Sequence, residues 1–236
     1  MHRETTSTGT IAARDSLTGD LADFLAEVKT EHALIPHGRL IFGLDATASR
    51  KPTWDLAAGL QAEMFREAGA AGNLDLQLVF YRGDGECKAS AWMSDSGRLA
   101  RIMSTIDVRA GTTQIAKILA HARKEATLAP VGALVFIGDA LEEPVDPLCL
   151  VARELGRFKV PVFMFQEGND DEVETAFRAI ANASGGAYGR FDAGAAKTLG
   201  ELLKAVAIFA TGGLKALEGR KDAESVLLLR QLKGGA

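Results

Sequence analysis

The chain has 236 residues, 47% of them hydrophobic and 25% charged, with a formal net charge of -4. This balance suits one substantial α/β domain with short appendages, and it excludes a fibrous or low-complexity chain. The slight acidity leaves no basic footprint for nucleic acid or for an anionic membrane surface. No apolar stretch reaches the length of a membrane span, and Met1-His2-Arg3-Glu4-Thr5-Thr6 lacks the apolar segment of a signal peptide. A reducing, cytoplasmic location is therefore expected. Cys87 and Cys149 each lie in or beside mostly apolar sequence, which predicts two buried thiols rather than a bridge.

Residues 1–37 read as an N-terminal unit: a Thr- and Ser-rich arm, then a helix over 16–30 with Leu17, Leu21, Phe24, Leu25 and Val28 on one face. An alternation follows over 38–211. It predicts strand 39–45, helix 53–69, strands 74–82 and 87–93, helices 95–105 and 113–127, and strand 132–138. Helix 147–157, strand 160–166, helix 170–183, strand 186–191 and helix 195–211 complete it. In the helix over 53–69, Trp54, Ala57, Ala58, Gln61, Met64, Phe65 and Ala68 recur at helical spacing. Gly83-Asp84-Gly85-Glu86 is a hairpin signal, so one of the strands it joins runs antiparallel, and Asp84 and Glu86 are expected exposed at its tip. The remaining strands are separated by helices and must run parallel. The expected fold is α/β: a doubly wound, mostly parallel six-stranded sheet with one antiparallel edge strand and helices on both faces. Gly212-Gly213 ends the last domain helix. Residues 212–236 then form an amphipathic tail, with Leu214-Lys215-Ala216-Leu217 and a Leu-rich run over 225–232, expected to pack back on its own domain.

Three segments carry the chemistry. Leu40-Ile41-Phe42-Gly43-Leu44 reads as a buried strand, and Asp45-Ala46-Thr47-Ala48-Ser49 follows it directly. Gly111-Thr112-Thr113-Gln114-Ile115 opens a helical pattern, where free backbone N–H groups gather. Leu134-Val135-Phe136-Ile137-Gly138-Asp139 ends a second strand on another carboxylate. In open α/β sheets ligands collect beyond the carboxyl ends of the strands, so two carboxylates and three hydroxyls converge on one rim. Oxygen ligands favour a hard cation, Mg²⁺ or Mn²⁺, over zinc.

Together these segments resemble the metal-ion-dependent adhesion site of the von Willebrand factor A family, over roughly residues 38–211. The resemblance implies direct metal contacts from the hydroxyls of Thr47, Ser49 and Thr113. Asp45 and Asp139 would act mainly through bound water and hydrogen bonds. It implies a non-enzymatic module in which an Asp or Glu of a partner protein completes the coordination. Intracellular bacterial members of the family often serve as adaptors, some with AAA+ ATPases of the MoxR type, which implies that kind of partner. Thr113 aligns better than Thr112 with the family's second motif. Three positions depart from the commonest pattern. Thr47 replaces Ser and keeps the hydroxyl. Arg50-Lys51 bring two cations that oppose a metal or attract an acidic partner. Ala140 replaces a frequent Gly.

Other readings are weaker. A haloacid-dehalogenase-like phosphatase needs a carboxylate two residues after Asp45, where Thr47 stands. No Gly-x-Ser-x-Gly elbow or phosphate-binding Gly-Lys-Ser/Thr loop occurs, and the glycines at 83, 85, 185 and 186 read as turns. His2, His32, His37 and His121 are scattered and lack a cysteine pair, against a histidine metal site. Glu142 and Glu143 are candidates for the rim, as is Arg50, although a solvated loop is the simpler expectation for the two glutamates. The alternatives to a cation-dependent adaptor are a metal-dependent phosphohydrolase using Glu142 or Glu143 as base, and a metal-free structural subunit.

Overall fold

A computed structural model of the chain describes residues 38–50, 74–191 and 196–234. The helices expected over 16–30 and 53–69, and Lys51, lie outside the described residues. The elements are β1 (Gly38–Asp45), a 3-10 turn (Ala48–Arg50), β2 (Leu74–Arg82), β3 (Glu86–Ala89), α1 (Ser96–Ser104) and α2 (Ile115–Leu128). They continue with β4 (Ala133–Gly138), α3 (Val145–Arg157), β5 (Val162–Glu167), α4 (Asp171–Ser184), β6 (Tyr188–Phe191), α5 (Ala196–Glu218) and α6 (Ala223–Gly234). The six strands form one sheet in the order β3-β2-β1-β4-β5-β6. β3 is antiparallel to β2 and every other pairing is parallel, as the hairpin and the intervening helices require. Strand order reverses between β1 and β4, which places the crevice of the sheet at their carboxyl ends.

Alternate residues of each strand feed two separate cores. Leu40, Phe42, Leu44, Val135, Ile137, Phe163 and Phe165 point to the face covered by α1, α5 and α6. Ile41, Leu134, Phe136, Val162 and Met164 point to the face covered by α2, α3 and α4. Because both faces are covered, β4 and β5 are buried along their whole length, and residues 133–138 and 162–165 read as apolar runs rather than an alternation.

The strand expected over 87–93 is shorter than its sequence suggests. The Ser90 hydroxyl accepts from the Leu78 backbone N–H at 3.0 Å, taking a role that a backbone carbonyl would hold in a regular ladder. Pairing resumes at Met93, which exchanges two bonds with Leu76 (2.8 and 2.9 Å) across an irregular step. α2 starts two residues later than the periodicity predicts, because Gln114 has a non-helical backbone (φ -139°, ψ 45°) and its side chain is tied elsewhere. α5 is broken at Gly213, whose φ of 64° suits a residue without a Cβ. The tail beyond it returns to the domain: Leu217 and Leu228 are buried in the first core. Gln231 accepts from the Tyr188 N–H and donates to the Tyr188 carbonyl, both at 2.8 Å, on the outer side of β6. Cys87 and Cys149 are both free thiols and half-buried. Among the described residues no helix is long and apolar enough to cross a membrane.

Candidate metal centre

The loop after β1 is shaped by its own polar side chains. Asp45 Oδ1 accepts from the Thr47 N–H at 2.8 Å, a turn that short acidic side chains favour. The Arg50 N–H bonds the Thr47 carbonyl (3.2 Å), and this tight turn brings the Ser49 hydroxyl to 3.1 Å from Thr47 Oγ1. Asp45 itself is fully buried. Its second oxygen accepts from the Tyr81 hydroxyl at 2.9 Å, since β2 pairs with β1 so that Tyr81 lies opposite Asp45. Burial pushes the Asp45 carboxyl above its ordinary value and the negative charge of Asp139 adds to that, while the bonds from Thr47 and Tyr81 oppose it. The Tyr81 phenol is raised well above its usual range, first by burial and then by Asp45.

Asp139 follows directly on β4, the strand beside β1. The two strand ends are in close contact: a Cβ built on Gly138 would stand 3.4 Å from Asp45 Cβ. Asp139 Oδ1 is shielded from solvent and has no hydrogen-bond partner. Such an oxygen is costly to leave unmatched, so it marks a position built for a further electropositive group.

Thr113 is buried and bonded twice to Glu142. Its N–H donates to Glu142 Oε2 at 2.8 Å, and its hydroxyl accepts from the Glu142 N–H at 2.9 Å. Glu143 takes the next free donors, the N–H groups of Ile115 and Ala116. The two glutamates therefore do not form a freely solvated loop. They satisfy the orphan N–H groups at the start of α2, where negative charge is favoured. On its other side the Thr113 loop is tied to the β2–β3 hairpin. Gln114 Nε2 donates to the Gly83 carbonyl (2.9 Å), and Lys117 Nζ donates to that of Gly85 (2.8 Å). A Cβ on Gly111 would meet the Gly83 carbonyl oxygen at 2.3 Å, so this approach needs glycine. The Arg109 N–H bonds the Ala46 carbonyl at 3.0 Å, joining the same loop to the one after β1.

Arg50, read from sequence as a rim cation, is instead fully buried. Its Nε and Nη2 donate to Glu167 Oε2 at 3.0 and 2.8 Å, and its Nη1 donates to the Asp45 carbonyl at 3.0 Å. It is not on the surface to meet a partner. Thr112 is exposed, whereas Thr113 faces inward. The structure thus gathers Asp45, Thr47 and Ser49 in one loop, sets Asp139 beside them, and ties Thr113 to the Asp139 loop through Glu142. Sequence reasoning missed Tyr81 and Glu167. Tyr81 was open to discovery through the register of two adjacent strands, but nothing local marks Glu167.

Among the described residues no group of three His, Cys, Asp or Glu side chains is placed to hold a metal. A cation here depends on hydroxyls as well as carboxylates, and the donor set present fits one. The Thr47 and Ser49 hydroxyls, which lie together, and the unmatched Asp139 oxygen are hard ligands of the kind Mg²⁺ and Mn²⁺ take. Asp45, with both oxygens engaged, orients the loop.

No family model and no curated protein matches the sequence, but solved structures resemble the fold. An aerotolerance-related membrane protein from Bacteroides fragilis covers 72% of this chain and 98% of its own, at 16% identity and a TM-score of 0.56. A von Willebrand factor type A protein from Catenulispora acidiphila covers 75% of this chain and 43% of its own, at 15% identity and a TM-score of 0.59. Proximal thread matrix protein 1 from the mussel byssus, in a form with a zinc-occupied MIDAS motif, covers 73% of this chain and 46% of its own. It shares 13% identity, with a TM-score of 0.58. This chain thus spans less than half the length of the latter two. With the strand order and the strand-end loops described above, these likenesses identify a von Willebrand factor A-type fold.

Proposed function

We propose that the chain is a non-enzymatic protein-interaction module that binds an Asp or Glu of a partner through a divalent cation. Thr47, Ser49, Thr113 and Asp139 would hold the cation, with Asp45 orienting the loop. The observation that carries this reading is the shielded, unpartnered oxygen of Asp139, at the end of the strand next to the one that leads into the paired hydroxyls of Thr47 and Ser49. Uncharged hydroxyls contribute little compensating charge, so a bound cation supplies residual positive charge that takes an anionic oxygen from outside the chain. The zinc-occupied motif of the mussel protein supports divalent binding on this scaffold. A hydrolytic reading is less favoured. Glu142 and Glu143, the bases it would use, already accept from the backbone N–H groups of Thr113, Ile115 and Ala116.

The test is calorimetric titration of Mg²⁺, Mn²⁺ and Zn²⁺ into metal-stripped protein, with Asp139→Ala as control. Saturable binding that the variant loses is expected, with a stability gain of about 2.7 kcal/mol at a hundredfold excess over Kd. No saturable binding, together with no rise in melting temperature at high Mn²⁺, removes the cation and leaves a metal-free structural subunit. Hydrolysis of a generic phosphoester, abolished by Asp139→Ala, would favour the enzyme instead.

A further inference from the structure

A buried guanidinium next to an oxygen cluster suited to a cation calls for a physical reason. Arg50 is the largest of the fully buried side chains among the described residues. It leaves the loop after β1 and reaches Glu167, the last residue of β5. β4 stands between those two strands, so the side chain spans the end of the strand that leads into Asp139. Along the way its Nη1 bonds the carbonyl of Asp45, within the candidate centre. A cation prefers not to share such a position with another positive charge. The unmatched Asp139 Oδ1 follows the end of the strand that the guanidinium crosses, an acceptor open to it if Glu167 did not draw it away.

We infer that Glu167 is a positioning residue for the cation centre. It neutralises Arg50 and draws the guanidinium toward β5, so that Asp139 and the Thr47 and Ser49 hydroxyls stay open to a divalent cation. This rests on the cation reading above and adds to it a residue from a strand that carries none of the ligands. Two bonds on one oxygen of Glu167, at 3.0 and 2.8 Å, fix the direction of the guanidinium. The side chains are 0% and 8% exposed, so solvent does little to screen either charge.

Glu167→Gln keeps an acceptor oxygen near the same place and removes the charge. Its affinity for Mn²⁺, measured by calorimetry on folded, metal-stripped protein, should fall on the order of tenfold or more. Adding Arg50→Met to that variant should restore the affinity to within about threefold of the natural chain. A pair that merely ties two loops together predicts otherwise: both variants would melt lower and bind Mn²⁺ alike. Natural affinity in Glu167→Gln, or a double variant as weak as the single, overturns the inference and leaves the cation reading intact. Should Glu167→Gln fail to fold, Glu167→Asp, which keeps the charge but holds the guanidinium at a shorter reach, takes its place: a fall in Mn²⁺ affinity supports the inference, and natural affinity with a lowered melting temperature overturns it. Failure of the natural chain to bind Mn²⁺ sinks the cation reading and this inference with it.

Discussion

Removing the Tyr81 hydroxyl tests the polar architecture beneath the centre without touching a proposed direct ligand. Tyr81→Phe deletes one oxygen from a fully buried ring, so the stacking on Phe136 (centroids 6.2 Å apart) and the packing are kept. What goes is the 2.9 Å bond to Asp45 Oδ2, leaving that oxygen buried without its donor. A hydrogen bond to a charged group contributes about 1.5–3 kcal/mol. On a domain of this size that is on the order of 3–12 °C in melting temperature. The loss depends on pH, with a definite sign. The folded-state pKa of Asp45 lies above the ordinary 3.8, so the folded chain takes up a proton at higher pH than the unfolded one. The contribution of Asp45 to metal-free stability therefore rises as pH falls through that raised value and levels off below 3.8. In Tyr81→Phe the carboxyl should be raised further, since a bond favouring its charged form is gone. The stability gap between the two proteins is thus full at alkaline pH and narrows as pH falls through the variant's higher value. Urea denaturation of both metal-stripped proteins over a pH series measures it. A gap under about 0.5 kcal/mol at pH 8, or one constant across the series, would refute the reasoning.

The two adjacent threonines separate by the same logic. Thr113→Ala should weaken cation and partner binding more than Thr112→Ala in calorimetric titration, because Thr113 faces inward on Glu142 while Thr112 is exposed; equal losses would count against the assignment. Gln231→Leu removes both amide bonds to Tyr188 and should cost about 1–3 kcal/mol. Hydrogen exchange at the Tyr188 amide should quicken in that variant, and unchanged exchange would mean that the tail does not protect the strand.

The sheet and much of the rim could be read from sequence because their signals are local. The runs at 133–138 and 162–165 are apolar since both faces are covered, and Asp45 and the hydroxyls that follow β1 stand out against such strands. What escaped depends on distant pairing. Tyr81 looks like any core aromatic of β2 until the register sets it opposite Asp45. Glu167 lies 117 positions from the arginine it holds. Glu142 and Glu143 looked solvated because the N–H groups they satisfy belong to a helix start 27 to 29 residues earlier. Arg50, by its type alone, belonged on a surface, and the carboxylate that pairs with it at the end of β5 is remote in sequence.

The amide of Gln231 stands where another strand would pair, so the two borders of the sheet have different prospects. At β6 an incoming chain would find the outward N–H and C=O of Tyr188 already matched. At β3 the last strand is four residues long, and among the described residues no further strand pairs with it. Among the described residues, growth of this sheet into a neighbouring molecule is obstructed at Tyr188 and open at β3. There the charged side chains of Glu86 and Lys88, paired with each other at 2.8 Å, discourage indiscriminate strand addition. Under the proposed function, a partner is met at the strand-end loops that carry Asp45, Thr113 and Asp139 rather than along a border of the sheet.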